Sequence, residues 1–299
     1  MCARAGSKIC RVSEALRDPI LDWYAEHNRD LPWRRPEATP WGILVSEIML
    51  QQTPVARVLP LWEDWMARWP TPAALAKEPP GEAVRHWGRL GYPRRALNLH
   101  ACAKAITDDF GGEVPSTYDE LRALPGIGDY TAAAVASFAY GGSHAVLDTN
   151  VRRVLARAVR GEEFPAKATT TAERKLAETL IPAVGAARWA VAVMELGALI
   201  CTARAPRCDA CPIAGLCAWN VTGRPAYEGP ERTGQTYAGT DRQVRGRLLA
   251  VLRAAHGPVP KSALDVVWDD HVQRERALDA LLTDGLAELL PDGAFQLPT

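Results

Sequence analysis

The sequence predicts a mostly α-helical protein. Apolar residues recur at helical spacing in the stretches 42–52, 95–110, 130–140 and 150–159, whereas strand-like alternation is almost absent before residue 285. Prolines separate the periodic stretches, as they do at the joints between helices. Because 299 residues, of which 47% are apolar, can fill more than one core, we expect two domains.

The composition changes after residue 218, and this change predicts a second domain. Residues 219–241 are rich in Gly, Pro and Thr, which is typical of a linker. Residues 242–299 contain three helix-like stretches, and the pair Asp292-Gly293 between apolar stretches indicates a hairpin turn. Three helices and a terminal hairpin predict a small winged-helix-like domain, a type that binds protein partners as well as DNA.

The charge balance and the apolar runs limit the classes of partner. Lys and Arg balance Asp and Glu at 35 each, so any surface for nucleic acid must be local. The longest apolar run, 189–201, is interrupted by Glu195 and is shorter than the roughly 20 residues of a membrane span. The first ten residues lack the apolar core of a signal peptide. We therefore expect a cytoplasmic protein without a membrane partner.

Four of the seven cysteines fall in one short window, which indicates a metal site. The four, separated by six, two and five residues, are Cys201, Cys208, Cys211 and Cys217. Disulfides are disfavoured in a cytosolic chain, and zinc ribbons usually bring two close pairs of cysteines. The spacing instead favours four thiolates around one larger object, and a 4Fe-4S cluster suits four cysteines. Zinc, or four unrelated thiols, stays an alternative.

The stretch LPGIGDYTA at 124–132 predicts a tight turn between two helices. Gly126 and Gly128 allow the backbone to turn sharply and to approach another molecule closely, and the following helix presents free N–H groups at its start. Such a pocket fits a phosphate, so the pattern predicts a helix-hairpin-helix that holds the DNA backbone without reading its sequence. From these residues alone, a plain interhelical turn stays an alternative.

Two carboxylates stand out, one before and one after this hairpin. Glu47 has Ile43, Leu44 and Leu50 at helical neighbour positions, so its carboxyl is expected beside an apolar core, where it keeps a proton to donate. Asp148 precedes a helix, where backbone N–H groups and the helix dipole favour the ionised form. One acid and one carboxylate form the pair that cleaves a glycosidic bond through an oxocarbenium-like state. A plain N-cap for Asp148 and half of an ion pair for Glu47 stay alternatives.

Several motifs in one order resemble the helix-hairpin-helix DNA glycosylase superfamily and, within it, the MutY-type adenine DNA glycosylases. The matching segments are LPWR at 31–34, SEIMLQQT at 46–53, GRLGY at 88–92, LPGIGDYTA at 124–132, VLDTNV at 146–151 and ELGALIC at 195–201. The resemblance covers roughly residues 20–218. It implies a glycosylase core at 1–218, with a six-helix barrel domain at about 39–147 and a cluster domain formed by the N-terminal helix and about 148–218.

The resemblance also implies the chemistry of the site. Glu47 would protonate the leaving adenine, and Asp148, supported by Asn150, would stabilise or transiently trap the positive sugar. Tyr130 would orient the site. It stands where the endonuclease III family carries a lysine that attacks the sugar and cuts the strand, so we expect base removal that leaves an abasic site without efficient strand cleavage.

Further residues follow from the resemblance as contacts to DNA and to the flipped base. Gln52, with Gln51 beside it, would fill the space that the flipped base leaves. The residues expected to line the base pocket are Arg29, Leu31, Trp33, Arg34 and Glu195. Basic side chains near the cysteines, Arg204 and Arg207, would suit a loop on phosphates. Three arginines, Arg152, Arg153 and Arg157, fit either a DNA contact or a solvated helix face.

The expected substrate is double-stranded DNA with adenine opposite 8-oxoguanine or guanine, and the expected state is a monomer that associates with the nucleoid when it is bound to DNA. Two departures bear on that specificity. Pro93 follows Tyr92 where the family carries a second tyrosine, and the residues after 241 are too short and too helical for the Nudix-like domain of typical members. One alternative is a thymine or uracil mismatch glycosylase of the same superfamily. Another is a DNA-binding regulator that uses the cluster as a redox sensor.

Overall fold

The structure is a computed structural model that describes residues 8–230 and 237–299, with side chains from residue 14 onward. It is mostly helical, as predicted. The α-helices are α1 (Lys8–His27), α2 (Pro40–Leu50), α3 (Val55–Arg68), α4 (Pro72–Ala76), α5 (Pro80–His86), α6 (Arg94–Asp109), α7 (Tyr118–Ala123), α8 (Asp129–Tyr140), α9 (Thr149–Leu155), α10 (Thr171–Leu180), α11 (Ala186–Leu199), α12 (Ala218–Val221), α13 (Asp241–Ala254), α14 (Lys261–Asp265) and α15 (His271–Thr283).

The other regular elements are short. A π-helical turn, Ala156–Arg160, continues α9, and 3-10 turns form at Pro32–Arg34 and Cys208–Ala210. Strands β1 (Glu288–Leu289) and β2 (Phe295–Gln296) pair antiparallel as a hairpin. Among the described helices, none is both long and apolar enough to cross a membrane.

The chain divides into two compact units. Unit 1 is the described part of 1–38, 116–122 and 128–231, and unit 2 is 39–115, 123–127 and the described part of 232–299. The domain boundaries expected from the sequence stay a prediction. In the expected linker, residues 231–236 lie outside the described residues, as do residues 1–7 of the expected core and N-terminus. Trp219, also expected in the linker, is instead buried in α12.

Unit 1 has its core between α1, α9, α10 and α11. The amphipathic α1 and the apolar α11 supply most of the large side chains, and burial of these apolar surfaces provides most of the stability of such a packing. Its buried members include Leu16, Ile20, Trp23, Val151, Val154, Leu155, Leu180, Trp189, Val193 and Leu196.

Unit 2 is built around tryptophans of α2 and α3 and the segment after α5. The rings of Trp65 and Trp69 meet edge to face with centroids 4.8 Å apart, and Trp65 meets Trp87 in the same way at 5.7 Å. Several indole N–H groups donate to backbone carbonyls, such as Trp62 to Gly42 at 2.8 Å. These bonds satisfy the polar edge of a ring whose body is buried.

The C-terminal residues of unit 2 form a small packed group. α13 and α15 lie side by side, and Val259, which precedes α14, forms an antiparallel bridge with Phe295 of β2. Leu248, Leu252 and Leu281 are buried between these elements. Three helices and a hairpin are thus present in the described residues. Their relation to the winged-helix type stays a prediction.

Candidate functional site

The expected site residues fall in both units. Unit 1 contains the base-pocket residues, Tyr130, Asp148, Asn150 and the four cysteines, whereas unit 2 contains Glu47, Gln51 and Gln52. The helix-hairpin-helix turn is divided, with Gly126 in unit 2 and Gly128 in unit 1. Glu47 and Asp148 thus belong to different units, and their pairing stays a prediction.

Asp148 is the N-cap of α9. Its Oδ1 accepts a hydrogen bond from the backbone N of Val151 at 2.6 Å, and its Oδ2 accepts from Asn150 Nδ2 at 2.7 Å. Asp148 keeps some exposed surface but has protein atoms on most sides, and this desolvation raises its pKa, although both hydrogen bonds and the charge of Arg153 act to lower it. The hydrogen bonds at the helix start favour the ionised form, as expected, but burial outweighs them, so the net direction of the pKa is upward.

A buried arginine connects Asp148 to the cysteine loop. Arg153 donates from Nη2 to Asn150 Oδ1 at 2.8 Å and to the Gly197 carbonyl at 2.6 Å, and from Nε to the Cys201 carbonyl at 2.6 Å. The hydrogen-bond chain thus runs from Cys201 through Arg153 and Asn150 to Asp148. A Cβ on Gly197 would lie 2.7 Å from Asn150 Cβ, so only glycine allows α11 to approach α9 this closely.

Three arginines expected on a DNA-contacting or solvated face point inward instead. Arg153 and Arg157 are buried, and Arg152 forms a buried ion pair with Glu173 at 3.0 Å. Arg152 also donates to the carbonyls of Ala166 and Ala168. Each guanidinium donates to backbone carbonyls, and apolar periodicity in the sequence does not reveal such bonds. The sequence contains one signal for the inward direction of Arg153, because position i+3 from Asn150 lies on the same helix face.

Glu195 in α11 collects two of the expected pocket arginines. Its Oε1 accepts from the backbone N of Arg29 at 3.0 Å and from Arg29 Nε at 2.7 Å, and its Oε2 accepts from Arg29 Nη2 at 2.7 Å. Arg34 Nη1 lies 3.0 Å from Oε2 at an ion-pair distance, without the alignment of a hydrogen bond. Burial acts to raise the pKa of Glu195, but Arg29 and Arg34 outweigh it, so the pKa is lowered and the group stays ionised.

The remaining pocket residues lie on the 3-10 turn before α2. Leu31 and Trp33 are both 5% exposed, so each serves first as a packed wall. Sequence reasoning missed Tyr24 of α1. Burial raises its pKa, and the charges of Arg34 and Glu195 also act on that pKa. Tyr24 is thus a further polar group beside these charges.

The backbone of the hairpin turns sharply at Gly126 and is open at Gly128. Gly126 has φ +75°, and a Cβ there would lie 2.6 Å from Asn98 Cβ. Gly128 is the N-cap of α8, and a Cβ on it would meet nothing within 4 Å, so its backbone lies open. Tyr130 follows in the first turn of α8, half-buried against a small cluster that includes Ala134 and Val146.

Glu47 and the two glutamines lie along α2 and just beyond its end. Glu47 is 5% exposed in a helix whose residues 41–49 are all buried, which confirms its expected burial. The helix ends at Leu50, two residues earlier than the sequence pattern predicts. Gln51 is the C-cap, and Gln52 is exposed with φ +55°.

The four cysteine thiols line one cavity under α9 and α11. Other walls come from Val154, Leu196, Ile200 and Trp219. Four cysteine thiols around one shared cavity fit the four ligands that a 4Fe-4S cluster takes.

The surroundings of the thiols also fit a cluster. Arg157 Nη1 lies 3.4 Å from Cys201 Sγ, and its guanidinium stacks 4.7 Å from the Trp219 ring centroid. A donor to a ligating sulfur stabilises the thiolate. Burial raises the pKa of Cys211 to about 11, so binding must displace thiol protons.

Comparison with known proteins agrees with this geometry. Residues 45–180 match the HhH-GPD superfamily of base excision DNA repair proteins, and residues 201–217 match the iron-sulfur binding domain of endonuclease III. The adenine DNA glycosylase of Mycobacterium tuberculosis is 53% identical, with 93% of this chain and 92% of the relative covered. This chain belongs to the MutY-type adenine DNA glycosylase family.

Other members of the adenine DNA glycosylase family differ in how much of the chain they match. That of Mycolicibacterium smegmatis is 54% identical over 93% of this chain, so both mycobacterial matches include most of residues 237–299. The human adenine DNA glycosylase is 39% identical over 68% of this chain and 39% of its own length.

Solved structures share the helix-hairpin-helix glycosylase fold. A thermostable thymine-DNA glycosylase has a TM-score of 0.65 and 30% identity, covering 71% of this chain and 98% of its own. A trapped endonuclease III–DNA intermediate has a TM-score of 0.62, with 23% identity over 71% of this chain and 97% of its own. The match of residues 201–217 to the iron-sulfur binding domain identifies the cofactor of this adenine DNA glycosylase family member as a 4Fe-4S cluster. The assignment of Cys201, Cys208, Cys211 and Cys217 as its four ligands stays a prediction.

The hairpin geometry predicts an unequal response of its two glycines. Gly126→Ala should lower the free energy of unfolding by about 1–3 kcal/mol, because its positive φ and the contact with Asn98 both penalise a Cβ. Gly128→Ala, with negative φ and open space, is the matched control and should change it by much less. Chemical denaturation of both variants measures the difference. Equal losses would contradict the assigned turn geometry.

The environment of Asp148 predicts the acid side of the pH–rate profile. If base release requires ionised Asp148, its raised pKa places the acidic limb above the usual range of an aspartate. Asn150→Ala removes a hydrogen bond that favours the ionised form, so the limb should move to still higher pH. Single-turnover base release measured across pH tests this, with Asn98→Ala as the control. An unmoved limb in Asn150→Ala would show that another group controls it.

Proposed function

We propose that this protein is a monofunctional adenine DNA glycosylase of base excision repair. It hydrolyses the N-glycosidic bond of flipped-out adenine mispaired with 8-oxoguanine or guanine and leaves an abasic site. It acts as a cytoplasmic monomer that associates with the nucleoid when it is bound to DNA. The observation that carries the proposal is the carboxylate of Asp148 in its hydrogen-bonded support, in a chain 53% identical to a named adenine DNA glycosylase.

Glu47 supplies the proton. Glu47 is buried in a helix whose residues 41–49 are all buried, and in the proposed role it holds its proton as the neutral acid until the base leaves. Such an acid transfers its proton to the leaving adenine as the glycosidic bond lengthens, and the base departs neutral.

Asp148 stabilises the sugar that loses the base. Burial makes its negative charge costly in the free protein, and a positive sugar beside it removes that cost. The hydrogen bonds from Asn150 and Val151 hold both carboxylate oxygens, so the charge is already oriented when the oxocarbenium-like state forms. Water then attacks the sugar carbon, and the product is an abasic site.

The group around Glu195 forms the base pocket. Adenine presents both donors and acceptors at its edge, and a carboxylate held by two arginines offers both kinds of partner. Oε1 of Glu195 accepts two hydrogen bonds from Arg29, and Oε2 accepts one from Arg29 and lies 3.0 Å from Arg34 Nη1. Leu31 and Trp33 supply apolar walls for the ring.

One turn, at Gly126 and Gly128, contacts the DNA backbone, and another, at Gln51 and Gln52, fills the space that the flipped base leaves. Gly128 and the start of α8 offer N–H groups to a phosphate, and Gly126 provides the sharp turn that exposes them. Gln52, on an exposed turn with positive φ, enters the space left by the flipped adenine, with Gln51 beside it.

The cluster stabilises the loop 201–217, and no step of hydrolysis is a redox step. Its ligand Cys201 shares Arg153 with the support of Asp148, so cluster loss would disturb the catalytic carboxylate through the backbone. Arg204 and Arg207 are exposed on the same loop and suit a phosphate contact.

A second candidate is a thymine or uracil mismatch glycosylase. The observation that favours it is the similarity to a thermostable thymine-DNA glycosylase at 30% identity. The two candidates differ in the base that the Glu195 pocket accepts, so substrate choice separates them.

Base release from defined duplexes tests the proposal. We expect single-turnover release of adenine opposite 8-oxoguanine and opposite guanine, and little release of thymine or uracil opposite guanine. Glu47→Gln should lose at least about a hundredfold in rate, because general acid catalysis contributes on the order of 10²–10⁴. The matched control Glu63→Gln, on the exposed face of α3, should retain activity. Release of thymine or uracil instead would favour the second candidate.

Strand cleavage provides a separate test of the monofunctional mechanism. The wild-type protein should release adenine without a borohydride-trapped covalent complex, because Tyr130 cannot form a Schiff base. Tyr130→Lys places an amine at the start of α8 and should become trappable. Tyr140→Lys, at the exposed end of the same helix, is the matched control and should not. Efficient trapping of the wild type would contradict monofunctional hydrolysis.

A further inference from the structure

Two exposed turns in unit 2 have backbone conformations that side chains rarely adopt. Among the described residues, positive φ outside glycine occurs at Gln52, Tyr92 and Arg224, with φ +55°, +47° and +58°. Gln52 follows α2, and Tyr92 follows α5 and is 46% exposed. Such strain persists only where surrounding contacts enforce it, and it concentrates at functional sites. We call residues 51–53 and 88–92 together the paired-turn edge.

One guanidinium joins the two turns. Arg95 donates from Nη1 to the carbonyls of Ile48 at 2.8 Å and Gln51 at 2.6 Å. Its Nη2 donates to Thr53 Oγ1 and to the Gly91 carbonyl, both at 3.1 Å. Because Arg presents several donors in a rigid fork, this side chain fixes the distance between the turns as well as their individual shapes.

The turn 88–92 is further held by its carbonyls. The Arg89 carbonyl accepts from Arg57 of α3, and the Gly91 carbonyl accepts from Trp87 Nε1 at 2.9 Å. The first carbonyl of the turn, that of Gly88, accepts from Arg253 Nη1. Arg253 belongs to α13, so one anchor of the turn comes from the C-terminal region.

The contact through Arg253 is reciprocal. Arg253 also donates from Nε to the Val84 carbonyl at 2.8 Å, while Arg85 donates back to the carbonyls of Arg253 and Ala255, the latter at 2.7 Å. Desolvation lowers the pKa of Arg253 to about 10, which leaves it charged at neutral pH. The guanidinium of Arg253 therefore binds carbonyls of α5 and of the turn after it, and the guanidinium of Arg85 binds carbonyls at the end of α13.

Two further contacts attach the C-terminal region beside the same turn. Asp284 pairs with Arg94 at 3.3 Å and with Arg245. The backbone N of Gly81 donates to the Pro298 carbonyl at 2.8 Å, and a Cβ on Gly81 would lie 2.9 Å from Leu297 Cβ. The region thus meets both the residues before the turn and the first residue of α6 after it.

We propose that the C-terminal region, residues 237–299, belongs to the machinery that recognises a mispaired adenine, and that Arg253 is its positioning residue for the paired-turn edge. This inference rests on the proposed function. Extruding a base from the duplex costs stacking and pairing energy. A rigid edge loses little conformational entropy when DNA binds, so more of its contact energy offsets that cost. Arg253 acts through the backbone of Gly88 and Val84 and does not touch the reacting atoms.

The role predicts a loss that depends on the substrate. Arg253→Met keeps the length and packing of the side chain but removes its donors. Single-turnover release of adenine opposite 8-oxoguanine or guanine should fall by about tenfold or more, as expected for loss of hydrogen bonds to a charged group. Release of adenine placed opposite an abasic position, where extrusion meets little resistance, should change little. Arg253→Lys should recover part of the loss.

Matched variants separate positioning from simple loss of folding. Arg160→Met removes an exposed arginine outside residues 237–299 whose described ion pair is with Glu162, and it should leave both rates unchanged. If Arg253→Met fails to fold, Asp284→Asn, which breaks the pairs with Arg94 and Arg245, should show the same substrate-dependent loss to a smaller degree. Thermal unfolding and the visible absorbance of the cluster establish folding for each variant.

Equal slowing on both substrates, or no slowing on either, would overturn the inference. A wild-type protein that released no adenine from any duplex would instead refute the proposed function. The two failures are therefore distinct.

Discussion

The buried guanidinium of Arg153 is the interaction on which the rest of unit 1 depends. It holds the carbonyls that end α11 and begin the cysteine loop, and it supports Asn150 beside Asp148. Because buried carbonyls without a donor cost about 1–3 kcal/mol each, this one side chain stabilises the place where α9, the end of α11 and the start of the cysteine loop meet. Its charge also acts to lower the pKa of Asp148, which burial raises.

Helix α11 carries this arrangement to the candidate base pocket. Glu195 on α11 holds Arg29 and Arg34, and Gly197 two residues later allows α9 to approach. The helix ends at Leu199, and Cys201 follows almost at once. Glu195 of the candidate base pocket, Gly197 at the contact with α9, and Cys201 thus lie on one rigid element and its immediate extension, which is how precise sites are best positioned.

Unit 2 uses arginine in the same way. Arg85, Arg95 and Arg253 all donate to backbone carbonyls, and Arg95 and Arg253 are largely desolvated. Lysine could replace them only in part, because it lacks a planar fork of fixed donors. In a chain without net charge, a substantial part of the positive side chains is therefore internal structure rather than a surface for DNA.

The sequence by itself determined the helical class, the position of the hairpin, the burial of Glu47 and the set of four cysteines. These depend on local periodicity and spacing, which a single chain displays directly. It did not reveal the end of α2 at Leu50, since tertiary contacts decide where a helix stops.

Only the tertiary structure decided the inward direction of the arginines, the raised pKa of Asp148 and the contact of α13 with the turn after α5. Each of these depends on groups far apart in the chain. Burial and long-range hydrogen bonding, which set such properties, follow from packing that no local pattern contains.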